Sequence, residues 1–159
     1  MDNLKGRIAY WSNGSKVRRL WLRMVLLIGV LYCTIGIAFG AFAAWSTSNQ
    51  MVVAWRVASF VVSLVVFALH IGYELLKLAN RPVIVALHTA LAVALGAFGL
   101  AVAANIHAIG VASANHRLLA IALVIWPLMT GIPAFVVALI IANLLRLVRP
   151  MKEAQNTPR

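Results

Sequence analysis

Four long apolar segments, separated by short polar connections, dominate the pattern of hydrophobic and polar positions along the chain. They cover about residues 20–45, 52–78, 83–104 and 118–147. A helix needs about 20 predominantly apolar residues to cross the hydrocarbon core of a bilayer, so each segment is long enough to do so. The pattern therefore predicts an all-α integral membrane protein whose four transmembrane helices form a compact antiparallel bundle.

The second predicted span carries a stripe of polar side chains on one side. At about 100° per helical residue, the members of the stripe fall within roughly 60° of each other. They are Arg56, Ser59, Ser63, His70, Glu74 and Lys77. Arg56 and Lys77 lie towards the two ends of the span, where long basic side chains reach the interfaces. The internal polar residues are therefore Ser59, Ser63, His70 and Glu74, and we expect them to face protein or water rather than lipid.

Small side chains form a strip on one face of the first, third and fourth predicted spans, which favours close approach of neighbouring helices. The glycines on these faces are Gly29, Gly36, Gly40, Gly96, Gly99 and Gly131. In the fourth span, Pro127 and Pro133 lie on either side of Gly131. Prolines at this spacing predict a kink or a local break near the middle of the membrane.

The composition agrees with a membrane protein, because 64% of the 159 residues are hydrophobic and only 11% are charged. A net charge of +11 would suggest nucleic acid in a soluble protein, but basic residues also collect on the cytoplasmic side of membrane spans. We therefore predict no nucleic-acid partner.

The single cysteine, Cys33, forms neither an internal disulfide nor a thiolate cluster. No nucleophile–base arrangement or phosphate loop is visible, and with three acidic residues we predict no enzyme.

The distribution of basic residues predicts the orientation. Twelve of the 14 Lys and Arg residues lie in the N-terminal segment, the central turn and the C-terminal tail, and only Arg56 and Arg117 lie at the other two connections. This positive-inside pattern predicts that both termini are cytoplasmic, most simply in a bacterial inner membrane. Residues 1–19 would then be a basic interfacial segment and residues 149–159 a basic cytoplasmic tail.

Three ionisable side chains are predicted to meet near the cytoplasmic side of the membrane. His70 lies about 10 Å inside the cytoplasmic end of the second span, and His88 about 8 Å inside the same end of the third. Glu74 follows His70 by four residues and therefore shares its helical face. A structural interpretation is that the three residues, with Ser63 nearby, hydrogen-bond across the helices and fix their packing.

Two other interpretations remain open for the same residues. His70, Glu74 and His88 would also suit a small proton- or ion-coupled transporter, although Val66 and Phe67 interrupt the stripe. His70 and His88 alone would suit the axial ligands of a b-type haem in a redox subunit. We expect a non-enzymatic accessory or assembly subunit that acts through helix–helix contacts, without a cofactor or metal. Its partners would be the lipid bilayer and either another membrane protein or a second copy of the chain.

Overall fold

The computed structural model describes the backbone of residues 2–76, 78, 80–109 and 116–155, and the side chains of residues 21–76, 78, 80–109 and 117–147. Over these residues the protein is all-helical and has no strands. Its helices are α1 (Asp2–Ala44), α2 (Asn49–Leu76), α3 (Pro82–Ala108) and α4 (His116–Gln155). Helix α1 thus includes much of the basic N-terminal segment as well as the first apolar segment.

All four helices contain a segment long and apolar enough to cross a membrane. The segments are Trp21–Ala44, Asn49–Leu76, Pro82–Ala108 and Arg117–Leu147. They have 24, 28, 27 and 31 residues, above the roughly 20 that a bilayer requires. The four predicted spans are therefore confirmed as helices, and they support an integral, multi-pass membrane protein.

Proline has different effects at the start of α3 and inside α4. Pro82 occupies the first turn of α3, directly after Arg81, which has an extended backbone with φ −66° and ψ 144°. This is the favoured place for proline, because its missing N–H has no partner in a helix start anyway. Pro127 and Pro133 lie inside α4, whose helical conformation continues through both without a break.

Helix α3 is central to the packing, since it contacts each of the other three helices and packs most extensively against α4 and α1. Helices α1 and α2 also contact each other, and Trp55 of α2 packs against both Phe39 and Phe42 of α1, with ring centroids 6.0 and 5.0 Å away. In the part of the chain that the structure describes, α1 and α4 do not contact each other. The contact between α2 and α4 is slight, so one side of the four-helix arrangement is almost open.

Glycines allow the close approach of α3 to its two main neighbours. A Cβ atom added at Gly96 would lie 2.5 Å from the Cβ of Tyr32 and 3.2 Å from the carbonyl oxygen of Gly29. Cβ atoms added at Gly29, Gly36 and Gly99 would collide with Leu95, Leu100 and Cys33, respectively. All three collisions are between α1 and α3. Gly131 of α4 faces Ala94 and the carbonyl oxygen of Ala90 on α3. Gly40 differs, because its position has open space around it.

The tight part of the interior lies at one end of α2. The buried core consists of residues from the end of α2, the start of α3 and the second half of α4: Phe67, Ile71, Leu75, Val85, Ala86, Ala138 and Ala142. No residue of α2 before Phe67 is buried. The fully buried part of α2 is therefore its C-terminal end, whereas its earlier part packs against α1 through partly buried residues such as Trp55.

Candidate functional site: a buried carboxylate between two histidines

The final turns of α2 bring two ionisable residues into the interior. The buried positions of this helix are Phe67, His70, Ile71, Glu74 and Leu75. Their spacing of three and four residues is that of one helical face, so the packing that buries Phe67 and Ile71 also buries His70 and Glu74. His70 is 4% exposed and Glu74 is 2% exposed. A carboxylate at such a place needs hydrogen-bond partners, because burying it alone is very costly.

Three side chains supply these partners. His70 lies one helical turn before Glu74, with its Nε2 atom 3.2 Å from Glu74 Oε1. His88, in the second turn of α3, has its Nδ1 atom 2.9 Å from both carboxylate oxygens. Asn80, in the turn between the helices, donates from Nδ2 to Glu74 Oε2 at 3.1 Å. We call these four residues the Glu74 cluster.

The Glu74 cluster provides hydrogen-bond partners for both oxygens of the carboxylate. His70 contacts Oε1, Asn80 donates to Oε2, and the single Nδ1 atom of His88 is shared between the two oxygens. Each imidazole must carry a proton on the nitrogen that faces Glu74 if it is to donate. The backbone N–H of Asn80 also donates to the Glu74 carbonyl oxygen at 3.4 Å. The cluster therefore ties the end of α2 to the turn and to α3.

Sequence reasoning predicted His70, Glu74 and His88 as a group, and the structure brings all three together. It did not predict two other contributors, Asn80 and Trp21. In the sequence, Asn80 stands out only as a polar residue two positions before Pro82. Trp21, at the start of the first span, packs against the His88 ring in a tilted arrangement, with centroids 4.8 Å apart and an interplanar angle of 43°. This contact adds α1 to the surroundings of the cluster, and no pattern in the sequence indicates it.

Several buried polar atoms lack a hydrogen-bond partner among the described residues. They are His70 Nδ1, Thr89 Oγ1, Trp21 Nε1 and the Tyr32 hydroxyl. His70 Nδ1 belongs to the Glu74 cluster, so the second nitrogen of that imidazole is left without a bond. Among the described side chains, no group of three or more His, Cys, Asp or Glu residues has a geometry that could hold a metal ion. His107, the other described histidine, is exposed in the last turn of α3.

The serines of the predicted stripe lie apart from the Glu74 cluster. Ser59 and Ser63 line a cavity of about 410 Å³ to which all four helices contribute, and Phe67 also lines it. Seven residues separate Ser63 from His70, or about 10 Å along the helix. Phe67 lies between them in sequence, so the stripe consists of a cavity-lining part and a hydrogen-bonded part. Arg56 lines an adjacent cavity of about 360 Å³ between α1 and α2.

The chain matches no protein-family model, and no curated protein and no solved structure is significantly similar to it.

Proposed function

We propose that this protein is a small, non-enzymatic accessory or assembly subunit that works through contacts between transmembrane helices. In this proposal its helices form an antiparallel bundle in a bacterial inner membrane, with both termini in the cytoplasm. The distribution of the basic residues supports this orientation, because the N-terminal segment, the α2–α3 turn and the C-terminal tail hold nearly all of them. The partner is another membrane protein or a second copy of the chain.

The unequal packing of α2 is the observation that carries the proposal. Its last turns are fixed by the Glu74 cluster and by the buried core, whereas the segment from Asn49 to Val66 contains no buried residue. Outside its contact with α1, this segment has a long exposed surface that is available for another helix. The Glu74 cluster itself supports a structural role, because both oxygens of its carboxylate have hydrogen-bond partners, which come from two helices and a turn.

The face of α2 that points away from the polar stripe is the proposed contact surface. At about 100° per residue, its members fall within roughly 80° of each other, on the side opposite Ser59 and Ser63. They are the small or β-branched residues Ala54, Val57, Val61, Val65 and Ala68, all of them exposed. Small and β-branched side chains form a shallow ridge against which a second helix packs closely, and close packing drives helix association in lipid.

A bulky residue on this surface tests the proposal. The chain is purified in a mild detergent directly from its own membrane, and the mass of the complex and its absorption spectrum are recorded. We expect a stoichiometric partner or a defined oligomer with the native chain. The Val61→Trp variant should lose this partner or oligomer, because the indole separates α2 from the helix that packs against it. Val136→Trp is the matched control, since Val136 is an exposed β-branched residue of α4.

Three outcomes of this measurement contradict the proposal. Recovery of the native chain as a clean monomer would show that it has no stable partner. Equal loss of the complex in Val61→Trp and Val136→Trp would show that the complex does not depend specifically on the α2 surface. A Soret band in the spectrum would favour the haem alternative.

The haem alternative has little support from the geometry, because Glu74 Oε1 lies within 3.2 Å of ring nitrogens of both His70 and His88. An iron between these two nitrogens would have to displace the carboxylate.

One observation favours proton- or ion-coupled transport as a second candidate. The cavity that Ser59 and Ser63 line extends along the polar stripe as far as Phe67, one turn before His70. Polar groups in line inside a membrane are typical of proton and ion pathways. The buried Phe67 side chain and the engagement of both Glu74 carboxylate oxygens by Asn80 and His88 oppose a continuous path. The accessory role therefore has the stronger support.

A further inference from the structure

We propose that the two adjacent cavities form one lipid site, in which an acyl chain of an anionic phospholipid occupies the larger cavity and its phosphate contacts Arg56. Helix α2 faces this site with its polar stripe and faces the proposed partner with its opposite side. The inference therefore goes beyond the accessory function and does not depend on it.

The larger cavity has the size and lining of a site for a hydrocarbon chain. Its volume of about 410 Å³ lies within the range of roughly 300–1,000 Å³ that is usual for ligand sites. Its walls are mostly aliphatic and aromatic, including Phe60, Val93, Leu100 and Val137. The polar lining residues, Ser59, Ser63, Thr130 and Tyr32, carry only uncharged hydroxyl groups. An alkyl chain fits such a lining, and a buried charge does not.

The cavity is accessible from the lipid phase. Helices α2 and α4 barely contact each other, and the residues of both that line the cavity lie on the two sides of the gap. The gap closes only towards the end of α2, where Phe67 packs in the same core as Ala138 and Ala142. A chain that enters between α2 and α4 therefore comes from the surrounding bilayer, which makes a membrane lipid the natural occupant.

The smaller cavity supplies a positive charge at one end of the site. Gly36 and Ser59 line both cavities, so the two are directly adjacent, and Arg56 lines the smaller one. The open space at Gly40, which also lines it, leaves room beside the guanidinium. Arg56 lies about 10 Å from the start of α2, a depth from which an arginine side chain reaches the phosphate level of a bilayer.

No acidic side chain in the described part of the chain neutralises Arg56. Glu74 is the only acidic residue whose side chain the structure describes, and the Glu74 cluster already engages it. Eighteen residues of helix separate it from Arg56, or about 27 Å. Within the described side chains the Arg56 guanidinium is therefore available to an anion from another molecule. A lipid phosphate matches the planar guanidinium and forms strong, charge-assisted hydrogen bonds with it.

Photo-crosslinking in lipid nanodiscs tests the site. The full chain is reconstituted with phosphatidylglycerol or phosphatidylcholine that carries a diazirine in one acyl chain, and crosslinked peptides are identified by mass spectrometry. We expect crosslinks to cavity-lining residues of α2 and α4, with a yield about fivefold higher for phosphatidylglycerol. A fivefold difference corresponds to ~1 kcal/mol, which is the free energy of attraction between one basic residue and an anionic membrane surface.

Two pairs of variants give the proposal its sharpest test. Arg56→Gln should reduce the phosphatidylglycerol yield to that of phosphatidylcholine, whereas Arg117→Gln, which changes an exposed arginine outside the cavities, should not. Ser63→Phe should reduce the yield with both lipids by filling the cavity, whereas Val62→Phe, on the neighbouring exposed position, should not. Equal yields of the two lipids with the native chain would overturn the proposal. So would an unchanged yield in Arg56→Gln, or crosslinks confined to the outer helix faces.

Discussion

At the scale of single residues, Glu74 shows how a carboxylate is kept inside a membrane-spanning helix. A lone carboxylate there would be very costly, and the protein offsets this cost with donors from three directions. His70 comes from the preceding turn of the same helix, Asn80 from the connecting turn and His88 from the next helix. Because the three donors belong to different parts of the chain, the carboxylate also fixes how those parts are arranged.

Removal of the Glu74 carboxylate should therefore destabilise the fold. We expect Glu74→Ala to lower the free energy of unfolding by about 2 kcal/mol, because the buried His70 and the partly buried His88 lose their acceptor. Glu74→Gln keeps the shape and one acceptor oxygen and should cost about half as much. The measurement is unfolding in mixed micelles with increasing sodium dodecyl sulfate, followed by circular dichroism. His107→Ala, at an exposed histidine, is the control and should change the value by less than about 0.5 kcal/mol.

The same variants separate the two candidate functions. In proteoliposomes, Glu74→Gln that keeps its fold but abolishes a proton or ion flux would favour transport over the accessory role. A stability of Glu74→Ala equal to that of the native chain would instead show that the cluster does not hold the helices together.

Part of the Glu74 cluster follows from the sequence by simple geometry. A spacing of four residues places His70 and Glu74 on one helical face, and the rise per residue gives His88 a matching depth. Asn80 and Trp21 do not follow in this way. The position of Asn80 depends on the exact path of the turn, and that of Trp21 depends on which helix α1 packs against. Neither is encoded in a periodic pattern.

At the scale of helices, the packing partners are harder to predict than the helices themselves. Hydropathy predicts four spans because a bilayer requires long apolar segments. It does not predict that α1 packs against α3 more than against α2, since lipid-facing and protein-facing positions are equally apolar. The small-residue strips were a better guide, because Gly29, Gly96 and Gly131 all lie where two helices approach closely.

The α1–α3 contact gives a clear pair of glycine variants. Gly96→Ala should lower the free energy of unfolding by about 1–3 kcal/mol, because the added methyl group collides with the Cβ of Tyr32 and the helices must separate. Gly40→Ala introduces the same methyl group into open space and should not destabilise the protein. The same unfolding measurement in micelles compares them. An equal effect of the two substitutions would show that helix propensity, and not close packing, determines the result.

At the scale of the whole molecule, the arrangement is well packed around α3 and open between α2 and α4. The tight region contains the Glu74 cluster and the core at the end of α2, the open region contains the larger cavity, and the smaller cavity lies beside it between α1 and α2. The orientation proposed from the basic residues would place the tight region on the cytoplasmic side and the Arg56 end on the opposite side. A partner helix would then reach the partner surface, and a lipid would reach the lipid site, from within the bilayer.

Cysteine labelling measures this orientation. After Cys33 is replaced by Ser, single cysteines are introduced by Thr47→Cys in the α1–α2 connection and by Leu78→Cys in the α2–α3 turn, both exposed positions. In spheroplasts, a membrane-impermeant maleimide should label the first variant directly and the second only after permeabilisation. The reverse pattern would place both termini outside the cell, and labelling of both from outside would contradict four spans.

The central place of α3 has a consequence for biogenesis. Membrane spans emerge from the ribosome in chain order, so α1 and α2 are synthesised before the helix against which both of them pack. Until α3 is present, Glu74 lacks His88 and the small face of α1 lacks its neighbour. The nascent chain therefore passes through a stage in which the Glu74 carboxylate is incompletely bonded. The arrival of α3 ends that stage, because it supplies both missing contacts.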